Sequence, residues 1–92
     1  MEDDDEASYF LQAEIVNYAQ DLFNTGQTIN ALRLLELNTE ANRDSYEAFV
    51  ALGNMFLQLK LKSSAINTYV KALTLAPDNI TTMEQLRQAK ID

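Results

Sequence analysis

Residues 46–77 read YEAFVALGNMFLQLKLKSSAINTYVKALTLAP, a strongly apolar stretch with a glycine in its middle, Gly53, and the chain's only proline, Pro77, at its end. Glycine inside a helix costs about 0.5–1 kcal/mol relative to alanine, so Gly53 among helix-favouring neighbours needs a steric reason. Phe49, Leu52, Met55, Phe56 and Leu59 recur at three- and four-residue steps and predict one helix, with Asp44 or Ser45 as its cap. Lys60-Leu61-Lys62 carries the chain into a second helix, capped by Ser63, with Ala65, Ile66, Tyr69, Ala72 and Leu73 on its apolar face; Pro77 forbids continuation. Where the two helices cross closely, Gly53 beside Ala65 and Ala72 offers three small surfaces at helical spacing.

The same grammar extends in both directions. From Ala7 to Asn24, Phe10, Leu11, Ile15, Tyr18, Ala19, Leu22 and Phe23 share a helical face, and Asn24-Thr25-Gly26 stops that helix, Gly26 taking positive φ. Thr28 is the expected cap of the next helix, where Ala31, Leu34, Leu35 and Leu37 repeat the spacing as far as about Glu40, before the polar turn Asn42-Arg43-Asp44-Ser45. Beyond Pro77, Asp78 or Asn79 starts a last helix with Ile80, Met83, Leu86 and Ile91 on one side. About five helices in an all-α fold follow, joined by short turns.

Phe49, Leu52, Gly53, Phe56, Ala65, Tyr69, Ala72 and Pro77 fall, 34 residues earlier, on Ile15, Tyr18, Ala19, Leu22, Ala31, Leu35, Asn38 and Arg43. Large meets large and small meets small at six of these eight steps without an insertion, which is an internal repeat.

Phe49-x-x-Leu52-Gly53-x-x-Phe56 followed by Ala65, Tyr69, Ala72 and Pro77 resembles the tetratricopeptide repeat, a helix–turn–helix unit of about 34 residues. The resemblance covers about residues 12–91 and divides the chain into an acidic, disordered tail at 1–7, a degenerate first hairpin at 8–45, a well-matched repeat at 46–79, and a capping helix at 80–92. The first hairpin departs from the pattern at Asn38, where a small residue is usual, and at Arg43, in place of proline. An antiparallel array of helix hairpins, wound as a right-handed superhelix, is the architecture the resemblance implies.

In that family the first helices of successive hairpins line a concave groove that binds peptides or helices, so recognition rather than chemistry is implied. By position the groove residues are Ala13, Val16, Gln20 and Phe23, then Glu47, Val50, Asn54 and Leu57, then Thr81, Glu84 and Gln88. Val16, Phe23, Val50 and Leu57 suit burial between helices as well as ligand contact. The family's chaperone-binding carboxylate clamp places a Lys four residues before an Asn; Asn54 matches, but Val50 stands in the lysine's place, and Val16 and Gln20 form the corresponding pair. A protein or peptide partner with apolar side chains and some basic character is therefore expected, rather than an acidic C-terminus.

Two other readings stay open at this stage. Two repeats and a cap are short for an architecture that gains stability by stacking, so homodimerisation through the groove or first helix is one, with Tyr9, Phe10 and Phe23 as contacts or, equally, as closure of the monomer core. The other is a non-catalytic accessory region of a larger protein: Ala31–Phe56, with Leu37-Asn38 and Asp44-Ser45-Tyr46, is similar to short repeat regions that follow the catalytic domain in some bacterial serine hydrolases.

Composition narrows the function classes. The chain has 92 residues, 47% apolar, and a net charge of −7, of which Glu2, Asp3, Asp4, Asp5 and Glu6 supply most. An acidic chain with no basic stripe argues against nucleic-acid binding. No apolar run approaches the roughly 18 residues that span a bilayer, and the first residues do not form a signal peptide, so no membrane role and a cytoplasmic setting are expected of the chain as given. Without His or Cys there is no Ser/His pair, thiolate nucleophile or nitrogen or sulfur metal ligand, and without a glycine-rich loop no phosphate cradle. No catalytic residue, cofactor or metal site is expected.

Overall fold

A computed structural model describes the backbone of residues 2–91 and the side chains of residues 11–91. Five α-helices appear among the described residues: α1 (Glu2–Asn24), α2 (Thr28–Ala41), α3 (Tyr46–Gln58), α4 (Lys62–Leu75) and α5 (Ile80–Ile91). Each packs on the next in the chain, and the links of three or four residues make neighbours antiparallel, so the fold is an all-α array of helix hairpins. The molecule is a slab 18 Å thick. That is about two helix diameters of ~10 Å, with α1, α3 and α5 in one layer and α2 and α4 in the other.

The 34-residue repeat is written in the backbone itself. α1 and α3 end in the same Schellman motif: the Gln27 N–H bonds to the Leu22 carbonyl at 2.8 Å, and 34 residues on, the Leu61 N–H bonds to the Phe56 carbonyl, also at 2.8 Å. The left-handed residue of the motif is Gly26 (φ 88°) in the first unit and Lys60 (φ 63°) in the second. A lysine there costs about 1–2 kcal/mol, which the two returning hydrogen bonds must offset. α2 and α4 close identically, the Asn42 and Ala76 N–H groups each bonding to the carbonyl four residues earlier at 3.0 Å. Ser45 and Asn79 recur as caps: the Ser45 hydroxyl accepts from the Ala48 N–H, and Asn79 Oδ1 from the Thr82 N–H at 2.8 Å.

Two caps fall elsewhere than expected. Gln27 and Leu61, without side-chain cap bonds, precede α2 and α4, and Thr28 and Ser63 lie inside the helices. The cause is the Schellman turn, which fixes the following residue as the point of helix entry. At the N-terminus α1 starts at Glu2, so its backbone includes residues set apart by sequence as a tail; the side chains of Tyr9 and Phe10, and any contact expected of them, lie outside the described residues.

Two cores share α3. Ala19, Ala31, Leu35, Leu52 and Met55 bury the α1–α2–α3 side, and Ala65, Tyr69 and Ala89 the α3–α4–α5 side, with Phe56 packed against both. The steric reason for Gly53 is the ring of Tyr69 rather than a small-on-small crossing with Ala65 and Ala72. A Cβ on Gly53 would lie 2.7 Å from Tyr69 Cε1 and 2.9 Å from Cδ1, closer than carbon atoms tolerate. The first unit resolves the same position differently: Ala19 keeps its methyl, and Leu35 stands where the second unit has Tyr69, both fully buried.

The ends of the array depart from the apolar stripes read in sequence. Leu11, Tyr18, Leu37, Ile80, Met83 and Ile91 are exposed. Glu14, Tyr18 and Asp21 occupy in α1 the positions of Ala48, Leu52 and Met55 in α3, which are buried. The periodicity is the same, but no helix among those described covers the α1 face. α5 buries Thr82 and Ala89, with Leu86 half-buried, and turns Ile80, Met83 and Ile91 outward for the same reason.

Substituting Gly53→Ala should lower stability by about 1–3 kcal/mol through overpacking, against a propensity gain of about 1 kcal/mol. Combined with Tyr69→Leu, which recreates the Ala19/Leu35 pair, the loss should fall at least about 0.5 kcal/mol short of the sum of the single effects in urea unfolding. Strict additivity would mean that the ring does not press on Gly53.

Candidate functional site

The concave side of the α1, α3 and α5 layer holds a pocket of about 550 Å³. α3 forms its floor through Tyr46, Glu47, Val50, Ala51 and Asn54. One wall is α1, through Gln12, Ala13, Val16 and Asn17; the other is the start of α5, through Asn79, Thr81, Thr82 and Gln85.

Polar side chains fix the walls to the floor. At one end the Ser45 hydroxyl, while capping α3, donates to Gln12 Oε1 at 3.0 Å and so ties α1 to the α3 N-terminus. At the other end Gln20 and Gln58 exchange amide hydrogen bonds of 3.1 and 3.0 Å, again α1 to α3. Asn54 holds the opposite wall: its Oδ1 accepts from the Tyr69 hydroxyl and, at 3.2 Å, from Gln85 Nε2. One amide thus joins α3, α4 and α5. Gln85 Oε1 is buried without a partner among the described residues, a cost of about 1–3 kcal/mol that places Gln85 under tension with its surroundings.

Glu47 is the one charged side chain in the lining. It lies in the first turn of α3, where the exposed N–H groups of the helix favour a carboxylate. Burial pushes the Tyr69 phenol above its usual value of 10.0, because the ring is sealed between Gly53 and the α4–α5 core.

Of the eleven residues named from sequence as groove positions, the pocket gathers Ala13, Val16, Glu47, Val50, Asn54 and Thr81. Gln20 is engaged with Gln58 instead, and Phe23 and Leu57 are half-buried against the two cores. Glu84 and Gln88 are exposed on α5 outside the lining, and Gln85 takes the facing position. α5 presents a face rotated from that of α3 because Thr82 and Ala89 seat it on α4. Gln12 and Asn17 escaped the sequence reading, although 34 residues on they become Tyr46 and Ala51, which also line the pocket. Carrying the offset to every α3 residue would have found them.

No family model matches the chain, and a search of curated proteins returns no match.

Because the unfolded chain loses the phenolic proton near pH 10 and the folded chain holds it to higher pH, stability should fall as pH rises above about 10. Tyr69→Phe should cost about 0.5–1.5 kcal/mol at neutral pH, through the lost bond to Asn54, and flatten the alkaline decline. Urea unfolding across pH 8–11 reads both; an alkaline slope unchanged in the variant would mean that Tyr69 is not the buried phenol responsible.

Proposed function

We propose that the chain is a tetratricopeptide-like interaction module whose α1–α3–α5 pocket binds a segment of another protein. The observation that carries this reading is the concave lining itself: apolar Ala13, Val16, Val50 and Ala51 interleaved with the amides of Gln12, Asn17, Asn54 and Gln85, in a volume of about 550 Å³. Pockets of roughly 300–1,000 Å³ that mix apolar walls with a few polar groups are the size at which side chains or small ligands are enclosed. Amides both donate and accept, and so serve an extended peptide backbone without demanding one side-chain chemistry.

The charge pattern selects the partner. With Glu47 as its single charge and valines at positions 16 and 50, the pocket favours an apolar segment carrying a Lys or Arg and offers no cation to a C-terminal carboxylate. Recognition, not catalysis, is the role in this reading.

Phage-displayed peptides selected on the immobilised protein should enrich apolar sequences with a Lys or Arg. Their affinity, measured by fluorescence anisotropy, should fall about tenfold or more for Ala13→Arg and Glu47→Lys, both at exposed positions, and stay unchanged for Arg33→Glu outside the lining. Failure of selection to enrich any sequence, or binding indifferent to both pocket variants, would contradict the reading.

A further inference from the structure

The two ends of the array carry exposed faces of opposite charge. On α5 the outward stripe is Ile80, Met83, Arg87, Lys90 and Ile91, at helical spacing on the side away from the buried Thr82 and Ala89; Glu84 sits toward its groove edge. In repeat terms, Met83, Arg87 and Lys90 stand where α3 has Phe49, Gly53 and Phe56, the face α3 turns to α4. On α1 the outward stripe is Leu11, Glu14, Tyr18 and Asp21, standing where α3 has Ser45 and then Ala48, Leu52 and Met55, the last three buried. Each end is thus a helix-pairing face, apolar at intervals, that no described helix covers. Tyr18 is 60% exposed and Ile80 68%.

We infer that these faces bind each other between copies of this chain, the α5 stripe of one copy on the α1 stripe of the next. Charge complementarity chooses the occupant: α5 presents Arg87 and Lys90, and α1 presents Glu14 and Asp21 with no basic residue among its stripe. The lengths match, since Ile80–Ile91 and residues 11–21 both make about three turns, some 16–18 Å. Because the two faces differ and lie at opposite ends, the contact is heterologous and does not close at a dimer unless the rotation returns on itself. One helix pair buries less than the roughly 1,200 Å² of a stable complex, so association is weak, and its exposed ion pairs make it weaker in salt. The concave pocket lies on neither face, so this contact stands or falls independently of the peptide-binding reading.

Sedimentation velocity of the 92-residue chain over a hundredfold concentration range, at low and at high salt, reads the contact. The weight-average mass should climb past that of a dimer at low salt and drop back at high salt. Arg87→Glu and Glu14→Arg, both at exposed positions, should each weaken association about tenfold or more while circular dichroism stays unchanged. Mixing the two variants should restore it, because each then meets an opposite charge on the other. A monomer at every concentration, or an association that both reversals leave intact, would overturn the proposal.

Discussion

The contact of the Tyr69 ring on Gly53 is the constraint from which the rest of the second unit follows. Removing the Cβ at residue 53 lets the ring lie against the α3 backbone, with Cε1 2.7 Å from where that carbon would be. In that position the hydroxyl reaches Asn54 Oδ1, and the same oxygen receives Gln85 from α5. A steric vacancy in α3 therefore sets the position of α4, then of a buried amide, then of the far wall of the pocket. The helix-propensity cost at Gly53, about 0.5–1 kcal/mol, is small beside the packing of a fully buried tyrosine.

The first unit reaches the same backbone by a different balance. Ala19 with Leu35 replaces Gly53 with Tyr69, so no hydroxyl extends toward α1, and Gln20 is left to pair with Gln58. Asn38, in the place of Ala72, is buried; its Oδ1 accepts from Asn42 Nδ2 at 2.9 Å, while its own Nδ2 finds no partner. That unpaired donor is worth about 1–3 kcal/mol of lost stability. α3 joins the two solutions, because Phe56 packs against both cores, and a change there is felt on both sides.

Much of this was legible because helical periodicity and turn chemistry are local. The five helices, the positive φ at Gly26, the caps at Ser45 and Asn79, and the buried positions Leu52, Met55, Ala65, Tyr69 and Ala72 all follow from residue types at short range. What stayed hidden depends on neighbours that periodicity does not name. Tyr18 and Met83 fit apolar stripes as well as Leu52 and Phe49 do, yet no described helix lies over them. Lys60 gave no sign of a left-handed backbone; only the offset from Gly26 carries it. The pocket was half legible, since its α3 floor follows from repeat position, whereas Gln85 faces it through the seating of α5 on α4, a matter of tertiary packing.

The most direct test of this account is an NMR measurement of proximity at Gly53. Strong cross-relaxation between the Tyr69 ring protons and the Gly53 α-protons, with those α-protons displaced by the ring current, is the predicted result. A Tyr69 ring without such cross-peaks, or with Gly53 α-protons at ordinary helical shifts, would contradict the close approach on which the fold of the second unit and the shape of the pocket rest.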